Sequence, residues 1–189
     1  MSLIRTFAAV VPPPTVRSAV ADFLTPHHHA LAGVRCVPPE NMHLTLRFFG
    51  DLTPDQVAVA GEAMDEVAAL AVPFPLELRG LGVFPGWDKP RVLWMGIGDG
   101  AQRLGALARV LDDAFDAAGL GRADRPFRAH LTLARWRHPG RPPAPPNLAQ
   151  ALFTRRFPVN EAVLFSSRTE PGGPVYRIMH TARLGGETR

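Results

Sequence analysis

The sequence predicts an α+β protein with two pseudo-symmetric lobes of mainly antiparallel sheet, flanking helices and an active-site groove between the lobes. Segments with strand character outnumber those with helical character and often follow one another directly, which favours antiparallel pairing. No glycine-rich phosphate loop of the kind found in doubly wound parallel sheets is present. The tetrapeptide His-Leu-Thr-Leu occurs twice, beginning at His43 and at His130, as expected for two similar lobes in one chain.

The elements of the first half follow from short apolar runs bounded by proline or glycine and from helix signals. Three prolines at 12–14 close the opening strand, and we expect Gly50 to stop the strand of the first motif. Thr53 is expected to cap a helix that has Pro54 in its first turn. In chain order we predict a strand at 4–11, a helix at 15–24, strands at 34–37 and 43–49, and a helix at 54–70.

In the second half, apolar residues that recur at intervals of three and four predict one further helix, with Gly119 just past its end. The prolines of 138–146 exclude regular structure and indicate an exposed connector. The segment 82–90 is long enough to form a lid or rim. In chain order we predict strands at 74–81 and 92–97, a helix at 101–118, and strands at 130–134, 161–166 and 175–184.

Size and composition indicate one soluble domain. With 189 residues, of which 46% are hydrophobic, the chain can bury a core, and we expect a single bilobal domain over 1–189. No run approaches the roughly 18 apolar residues that a membrane span needs, so we expect no membrane contact. The single Cys36 cannot form an internal disulfide, and nothing requires an oxidising compartment. We therefore expect a cytoplasmic monomer, whose net charge of +4 suits a phosphate-bearing partner without requiring one.

The repeated motif places two types of polar group on one face of each strand. Side chains alternate across a strand, so His43 and Thr45 project from one face while the leucines project into the core. His130 and Thr132 repeat this division. Two such strands facing each other would surround a small anion with two imidazoles and two hydroxyls. This arrangement predicts a phosphate site that has its own acid and base.

The chemistry of a cyclic phosphodiester explains why two histidines are needed. Ring opening by water requires one group to accept a proton and another to deliver one to the departing oxygen, and imidazole does either near neutral pH. The threonine hydroxyls can donate hydrogen bonds to the non-bridging oxygens, where negative charge grows in the transition state. Alternation puts Arg47 on the face of His43, whereas Arg135 is odd-spaced from His130 and reaches the site only if its strand bends or ends.

Other interpretations of the histidines compete with catalysis. A histidine on a half-buried strand is more often structural, but the second copy of the motif reverses those odds. A metal site is disfavoured because no matched Cys, Asp or Glu accompanies the two histidines, and we expect no metal and no cofactor. The run His27-His28-His29 is expected to be a solvated loop.

Several segments together resemble a known family, namely the opening strand at 5–10, the first motif with its flanks at 38–50, the second at 127–135, and the late segments 165–168 and 173–176. The chain resembles the two-histidine phosphoesterase superfamily. Within it, the chain is similar to the bacterial and archaeal RNA 2′,3′-cyclic phosphodiesterases once called 2′-5′ RNA ligases. The resemblance covers nearly the whole chain, and the paired motif is its specific part.

The resemblance implies a bilobal α+β fold and metal-independent hydrolysis of RNA 2′,3′-cyclic phosphate ends, which leaves a 2′-phosphate. It implies that His43 donates a proton to the leaving 3′-oxygen and that His130 is the base that activates water. It further implies that Thr45 and Thr132 hold the phosphate. Arg135 matches the phosphate-contacting arginine of the family, which conflicts with the alternation of its strand.

Some alternatives stay open from the sequence. The substrate could instead be a 2′-5′ linked oligonucleotide or a small cyclic nucleotide, and a non-catalytic RNA-end binder would retain the groove without the chemistry. Intact histidines and threonines in both copies favour the hydrolase. The expected partners are RNA ends or nucleotides bearing a cyclic phosphate. Phe7 is either a base-stacking aromatic or, as we expect for a buried strand, a core residue.

Overall fold

The computed structural model describes residues 2–27, 34–136 and 152–185. The predicted connector at 138–146 and two members of the histidine run, His28 and His29, lie outside the described residues. In chain order the elements are β1 (Ile4–Val10), α1 (Pro14–Leu24), β2 (Val34–Cys36), a 3-10 turn (Pro39–Asn41), β3 (Leu44–Leu52), α2 (Pro54–Leu70), β4 (Phe74–Phe84), β5 (Val92–Ile97), α3 (Ala101–Ala117), β6 (Leu131–Trp136), β7 (Thr154–Val159), β8 (Glu161–Glu170) and β9 (Gly173–Arg183).

The strands form two sheets in which every described pair is antiparallel. The first sheet has the strand order β3-β1-β8-β9, and the second has the order β2-β6-β5-β4-β7. The motif strand β3 belongs to the first sheet, and the motif strand β6 belongs to the second. The predicted α+β class with antiparallel sheet is therefore confirmed.

The helices form where local signals are strong. At the start of α2 the Thr53 hydroxyl accepts from the backbone N–H of Gln56 at 3.2 Å, and the Gln56 side chain accepts from the Thr53 N–H at 2.9 Å. This capping box satisfies two backbone donors that the first turn leaves unpaired. The helix α3 buries one apolar stripe and is followed by Gly119, which adopts the left-handed φ of 79°. None of the helices in the described ranges is long and apolar enough to cross a membrane.

The helices join the two sheets into one buried apolar cluster. The helix α2 packs against the first sheet and against α3, and α3 contacts both β3 and β4. Leu44 and Leu131, the first leucines of the two motifs, are both fully buried in this cluster. The leucine face of each motif strand therefore points into the core, as predicted.

Two of the strand ends that differ from the predictions are explained by glycines. Gly50 does not end β3, because a positive φ of 78° lets the chain pass an irregularity in the pairing and continue to Leu52. The strand β4 continues to Phe84, so the predicted loop at 82–90 shortens. Gly82 permits this extension because the ring of Trp94 lies against its backbone where a Cβ would stand.

The strand β7 was not predicted. Its sequence contains Arg155, Arg156 and Pro158, which carry no strand signal. It lies at the edge of the second sheet and pairs only with β4 among the described strands. An edge position tolerates a proline because no hydrogen bond is required on the open side.

Candidate active site

The two motifs begin at equivalent places in the two sheets. His43 is the residue immediately before β3, and His130 is the residue immediately before β6, so each strand begins one residue later than predicted. The strands β3 and β6 contact each other across the boundary between the sheets. The repeated segments therefore lie next to each other although they are distant in sequence.

The first motif strand contains a β-bulge. Thr45 lies opposite Ala9 of β1, and Arg47 lies opposite Ala8, so Leu46 is an extra residue without a partner of its own in β1. An extra residue reverses which face the following side chains occupy. Beyond Leu46, alternation counted from the sequence no longer predicts the face of a side chain.

The second motif strand contains the same bulge at the same position. Thr132 lies opposite Trp94 of β5, and Ala134 lies opposite Leu93, so Leu133 is the extra residue. Over their first six residues the two strands share one order of buried, half-buried and exposed side chains. The two motif strands therefore share more than the His-Leu-Thr-Leu tetrapeptide. They also share the position of the bulge and the register with the neighbouring strand.

The bulge decides the positions of the two candidate arginines. Arg47 is only 5% exposed, forms an ion pair with Asp112 and donates to the Gly121 carbonyl at 3.0 Å. The prediction that Arg47 shares the face of His43 is therefore wrong. Arg135, which simple alternation turns away from the groove, instead lies on the face of Thr132 and is exposed.

We call the face that carries Thr45 on β3 and Thr132 on β6, together with His43 and His130 just before these strands, the groove face. Thr45 and Thr132 are both half-buried, at equivalent positions two residues beyond their histidines. Arg135 and His130 of the second motif lie near enough to His43 for their charges to lower its pKa. Of the predicted site residues, only Arg47 does not belong to this group.

Each histidine is held by a backbone carbonyl two residues earlier in the chain. Nδ1 of His43 lies 2.7 Å from the Asn41 carbonyl oxygen, and Nδ1 of His130 lies 2.7 Å from the Arg128 carbonyl oxygen. A carbonyl oxygen only accepts hydrogen bonds, so Nδ1 is the protonated nitrogen in both rings. Nε2 is then the nitrogen that each ring has available to take or give a proton.

The aromatic surroundings of the two histidines differ. The ring of His43 lies 4.7 Å from the Phe7 ring and 5.2 Å from the Tyr176 ring, measured between centroids. His130 has one described aromatic neighbour, the ring of Phe84, with a centroid distance of 5.2 Å. Phe7 itself is 1% exposed, which confirms that it is a core residue.

The pKa of His43 is lowered to about 4, mainly by burial of the ring; the bond to the Asn41 carbonyl opposes this change, and the charges of Arg135 and His130 add to it. At neutral pH the His43 ring is therefore uncharged in the ligand-free protein. Burial also raises the pKa of the Tyr176 hydroxyl, an effect that the Arg135 charge opposes.

The sequence contained a signal for some of the missed residues. Asn41 and Arg128 both stand two positions before a motif histidine, so their spacing could have identified them as partners of the rings. Tyr176 and Phe84 come from strands that only the tertiary fold brings to the histidines. Their roles are invisible to any pattern within the motifs.

Comparison with known proteins gives a consistent result. A sequence model described as LigT like Phosphoesterase matches residues 10–94 and 97–176. A Thermus thermophilus protein named RNA 2′,3′-cyclic phosphodiesterase is 34% identical over 188 residues, covering 97% of this chain and 91% of the relative. A protein of the same name from Aquifex aeolicus is 33% identical over 154 residues, covering 79% of this chain and 81% of the relative.

Solved structures share the architecture. A crystal structure from Thermus thermophilus has a TM-score of 0.84 at 33% identity and covers 98% of this chain and 100% of its own. E. coli LigT in complex with 3′-AMP has a TM-score of 0.72 at 25% identity, with 97% and 99% covered. The match extends over both motif strands and both sheets. The chain therefore belongs to the LigT-like phosphoesterase family.

Proposed function

We propose that this protein hydrolyses RNA 2′,3′-cyclic phosphate ends to 2′-phosphates, with His43 and His130 as the acid and base. The observation that carries the proposal is the matched pair of Nδ1 hydrogen bonds, which leaves Nε2 of both rings available for proton transfer. The substrate class is supported by relatives named RNA 2′,3′-cyclic phosphodiesterase, which align with up to 97% of the chain.

In the proposed reaction, a water molecule attacks phosphorus while Nε2 of His130 accepts its proton. The bond between phosphorus and the ribose 3′-oxygen breaks, and Nε2 of His43 delivers a proton to that oxygen. The product carries a 2′-phosphate and a free 3′-hydroxyl. The proton that His130 has gained balances the one that His43 has lost, and exchange with water restores both rings.

Thr45, Thr132 and Arg135 are proposed to bind the phosphate. The two threonines stand beside their histidines on the groove face, where their hydroxyls can donate to the non-bridging oxygens. Arg135 supplies a cation close to His43. A guanidinium pairs well with phosphoryl oxygens through parallel N–H donors.

The acid role of His43 requires a proton that its ring does not hold at neutral pH in the ligand-free protein, because its pKa is lowered to about 4. A bound cyclic phosphate brings a negative charge next to the ring and favours the charged imidazolium. We therefore expect the enzyme to take up a proton when substrate binds. Calorimetric titration with a non-hydrolysable analogue, in buffers of different ionisation enthalpy, measures that uptake.

Three other functions are candidates for the same groove. E. coli LigT has been crystallised with 3′-AMP, which makes small nucleotides with a cyclic phosphate a specific alternative substrate. Linked 2′-5′ oligonucleotides and a non-catalytic role in binding RNA ends are the others. Each makes a different prediction for turnover, so one panel of substrates separates them.

The deciding experiment is product analysis of a short RNA ending in a 2′,3′-cyclic phosphate, with EDTA present. The expected product is the 2′-phosphate, formed by wild-type protein and not by His43→Ala or His130→Ala. Parallel reactions contain a mononucleotide 2′,3′-cyclic phosphate and a 2′-5′ linked dinucleotide. A 3′-phosphate product would reverse the assigned leaving oxygen, and binding without turnover would support the RNA-end binder.

We further propose that the chain works as one bilobal unit, as a monomer and in the cytoplasm. The first two points are supported by the site itself, since one chain contributes a motif strand from each sheet. Light scattering of the purified protein tests the monomer, and cell fractionation tests the location.

A further inference from the structure

The hairpin formed by β8 and β9 reaches the His43 segment at two places. The turn of the hairpin, together with the first residues of β9, contacts the 3-10 turn and β2, and the ring of Tyr176 on β9 contacts the His43 ring. The hairpin belongs to the first sheet, whereas β2 belongs to the second. It therefore connects the two sheets beside His43.

Asn41 joins the hairpin to the histidine. Its carbonyl oxygen accepts the hydrogen bond from Nδ1 of His43, and its side-chain Nδ2 donates to the Pro174 carbonyl at 2.9 Å. Both bonds involve a single residue at the end of the 3-10 turn. A change in the position of the hairpin would therefore move the carbonyl that orients the His43 ring.

A second contact fixes the turn of the hairpin. The guanidinium of Arg35 on β2 donates to the Gly172 carbonyl. Gly173 adopts a φ of 131°, and a Cβ at this position would overlap the Arg35 side chain. Glycine is therefore needed where the turn lies against Arg35.

Tyr176 closes one side of the His43 ring. Its ring stands edge-on to the imidazole, at an interplanar angle of 89° and a centroid distance of 5.2 Å. Phe7 lies against the imidazole at 4.7 Å, and the Tyr176 and Phe7 rings contact each other at 5.0 Å. The two aromatic rings restrict rotation of the imidazole, which the bond to Asn41 alone would allow.

The second motif lacks this arrangement. Arg128 occupies the position equivalent to Asn41, and its guanidinium lies 5.8 Å from the Phe84 ring centroid, on β4 of its own sheet. His130 contacts the edge of that same ring. The contacts that Asn41 and Tyr176 make with the hairpin and with the imidazole therefore hold only His43, although the two motif histidines are otherwise equivalent.

We propose that Asn41 and Tyr176 are positioning residues that hold the His43 ring with Nε2 directed at the scissile phosphodiester. The proposal rests on the proposed function and deepens it, because it assigns to the β8–β9 hairpin the orientation of the acid. The titratable and charged groups that act on His43 are Arg135 and His130 from the second motif, and the Tyr176 hydroxyl lies beside it on β9.

The test combines an NMR titration of the His43 ring with steady-state kinetics on a cyclic phosphate. Tyr176→Ala and Asn41→Ala are each expected to lower kcat at least about tenfold while KM changes less than about threefold, because orientation is lost rather than binding. In Tyr176→Ala water gains access to the ring, so the pKa of His43 should rise from its low value towards that of a free histidine. In Asn41→Ala the carbonyl that favours the charged ring is less firmly held, so the pKa of His43 should fall instead. Tyr176→Phe keeps the ring and should retain both properties.

Met179→Ser is the matched control, because Met179 lies on the same strand, is 43% exposed and has no described contact with His43. It should leave kcat and the titration unchanged. Normal kcat and an unchanged His43 titration in both Tyr176→Ala and Asn41→Ala would overturn the proposal. If Tyr176→Ala fails to fold, Tyr176→Leu and Asn41→Ala decide the question by the same criteria.

The NMR titration also separates this proposal from the proposed function. It needs no turnover and reports the His43 ring directly. If the wild-type protein shows no cyclic phosphodiesterase activity but the His43 pKa changes in the variants, the substrate assignment fails and the positioning role stands. If activity is present and neither kcat nor the titration changes in the variants, the substrate assignment stands and the positioning role fails.

Discussion

Phe48 and Arg135 occupy equivalent positions in the two motif strands. Each lies three residues beyond a motif threonine and two residues beyond the extra residue of the β-bulge. Phe48 is 57% exposed, and Arg135 is exposed as well, although simple alternation would turn both into the core. The bulge therefore gives one lobe an aromatic side chain and the other a cation at the same place on the groove face.

Removing the Arg135 cation should weaken both binding and turnover. We expect Arg135→Ala to lower kcat/KM for a cyclic phosphate by about a hundredfold, because one charge-assisted contact to the transition state is lost. Arg135→Lys should recover part of the loss. Arg109→Ala, which removes an arginine from α3 that is 71% exposed, is the control. Equal activity of Arg135→Ala and Arg109→Ala would exclude a phosphate contact.

The other candidate arginine should affect stability instead of catalysis. Arg47→Ala removes the buried partner of Asp112, which is 22% exposed and keeps, among the described cations, only the more distant Arg122 at 4.0 Å. Breaking such a pair should reduce the free energy of unfolding by about 3 kcal/mol. Urea unfolding measures this change, and activity per folded molecule should stay within about twofold. A large loss of activity without a loss of stability would show that Arg47 acts in the active site.

The different behaviour of these arginines shows where sequence reasoning stops. Alternation predicts the face of a side chain only while the pairing is regular, and the extra residues Leu46 and Leu133 arise from pairing with distant strands. One local feature explains both the wrong prediction for Arg47 and the conflict over Arg135. The same limit applies to β7, an edge strand that forms because β4 offers it a partner.

Features with local causes were predictable. The capping box at Thr53 and the apolar period of α3 depend on neighbouring residues only, and both helices begin and end within one residue of the predicted limits. The prediction that His43 and His130 act as a pair rests on an exact repeat that is visible without a structure. Tyr176 was not assigned a role, because the fold of the β8–β9 hairpin brings it to His43.

Replacing either motif histidine should remove activity. We expect His43→Ala and His130→Ala each to lower kcat at least about a thousandfold, which is within the range for loss of a general acid or base. His180→Ala is the control, because that ring bonds to Asp65 of α2 at 2.8 Å, on the opposite face of the first sheet. Rates are measured on a 2′,3′-cyclic nucleotide in EDTA. Turnover by His43→Ala at the wild-type rate would show that His43 is not the general acid.

The motif threonines should contribute less than the histidines. Thr45→Val and Thr132→Val keep the shape of the side chain and remove one hydrogen-bond donor each, so a loss of about tenfold to a thousandfold in kcat is expected. Serine at either position keeps the hydroxyl and should restore much of the activity. The pH dependence of kcat should not move, since threonine does not titrate. A shifted profile would mean that the hydroxyl acts through a histidine.

The lowered pKa of His43 should make folding less favourable in mild acid. An unfolded chain binds a proton at this histidine near pH 6.5, whereas the folded protein binds it only near pH 4. Between these values the unfolded state holds more protons, so the free energy of unfolding decreases as the pH falls through this window. Above about pH 6.5, His43 causes no further change in the free energy of unfolding with pH. Below about pH 4, the ring is protonated in both states and the decrease caused by this residue ends.

His43→Gln removes this titration and should flatten the dependence of stability on pH. The measurement is urea unfolding of the wild type and the variant at intervals from pH 7.5 to 4.5. Carboxylates titrate in both proteins, so their effects cancel in the difference between the two curves. That difference should change steadily between about pH 6.5 and 4 in favour of the variant. Parallel curves would mean that His43 titrates normally in the folded protein and that its enclosure by Phe7 and Tyr176 does not exclude the charged form.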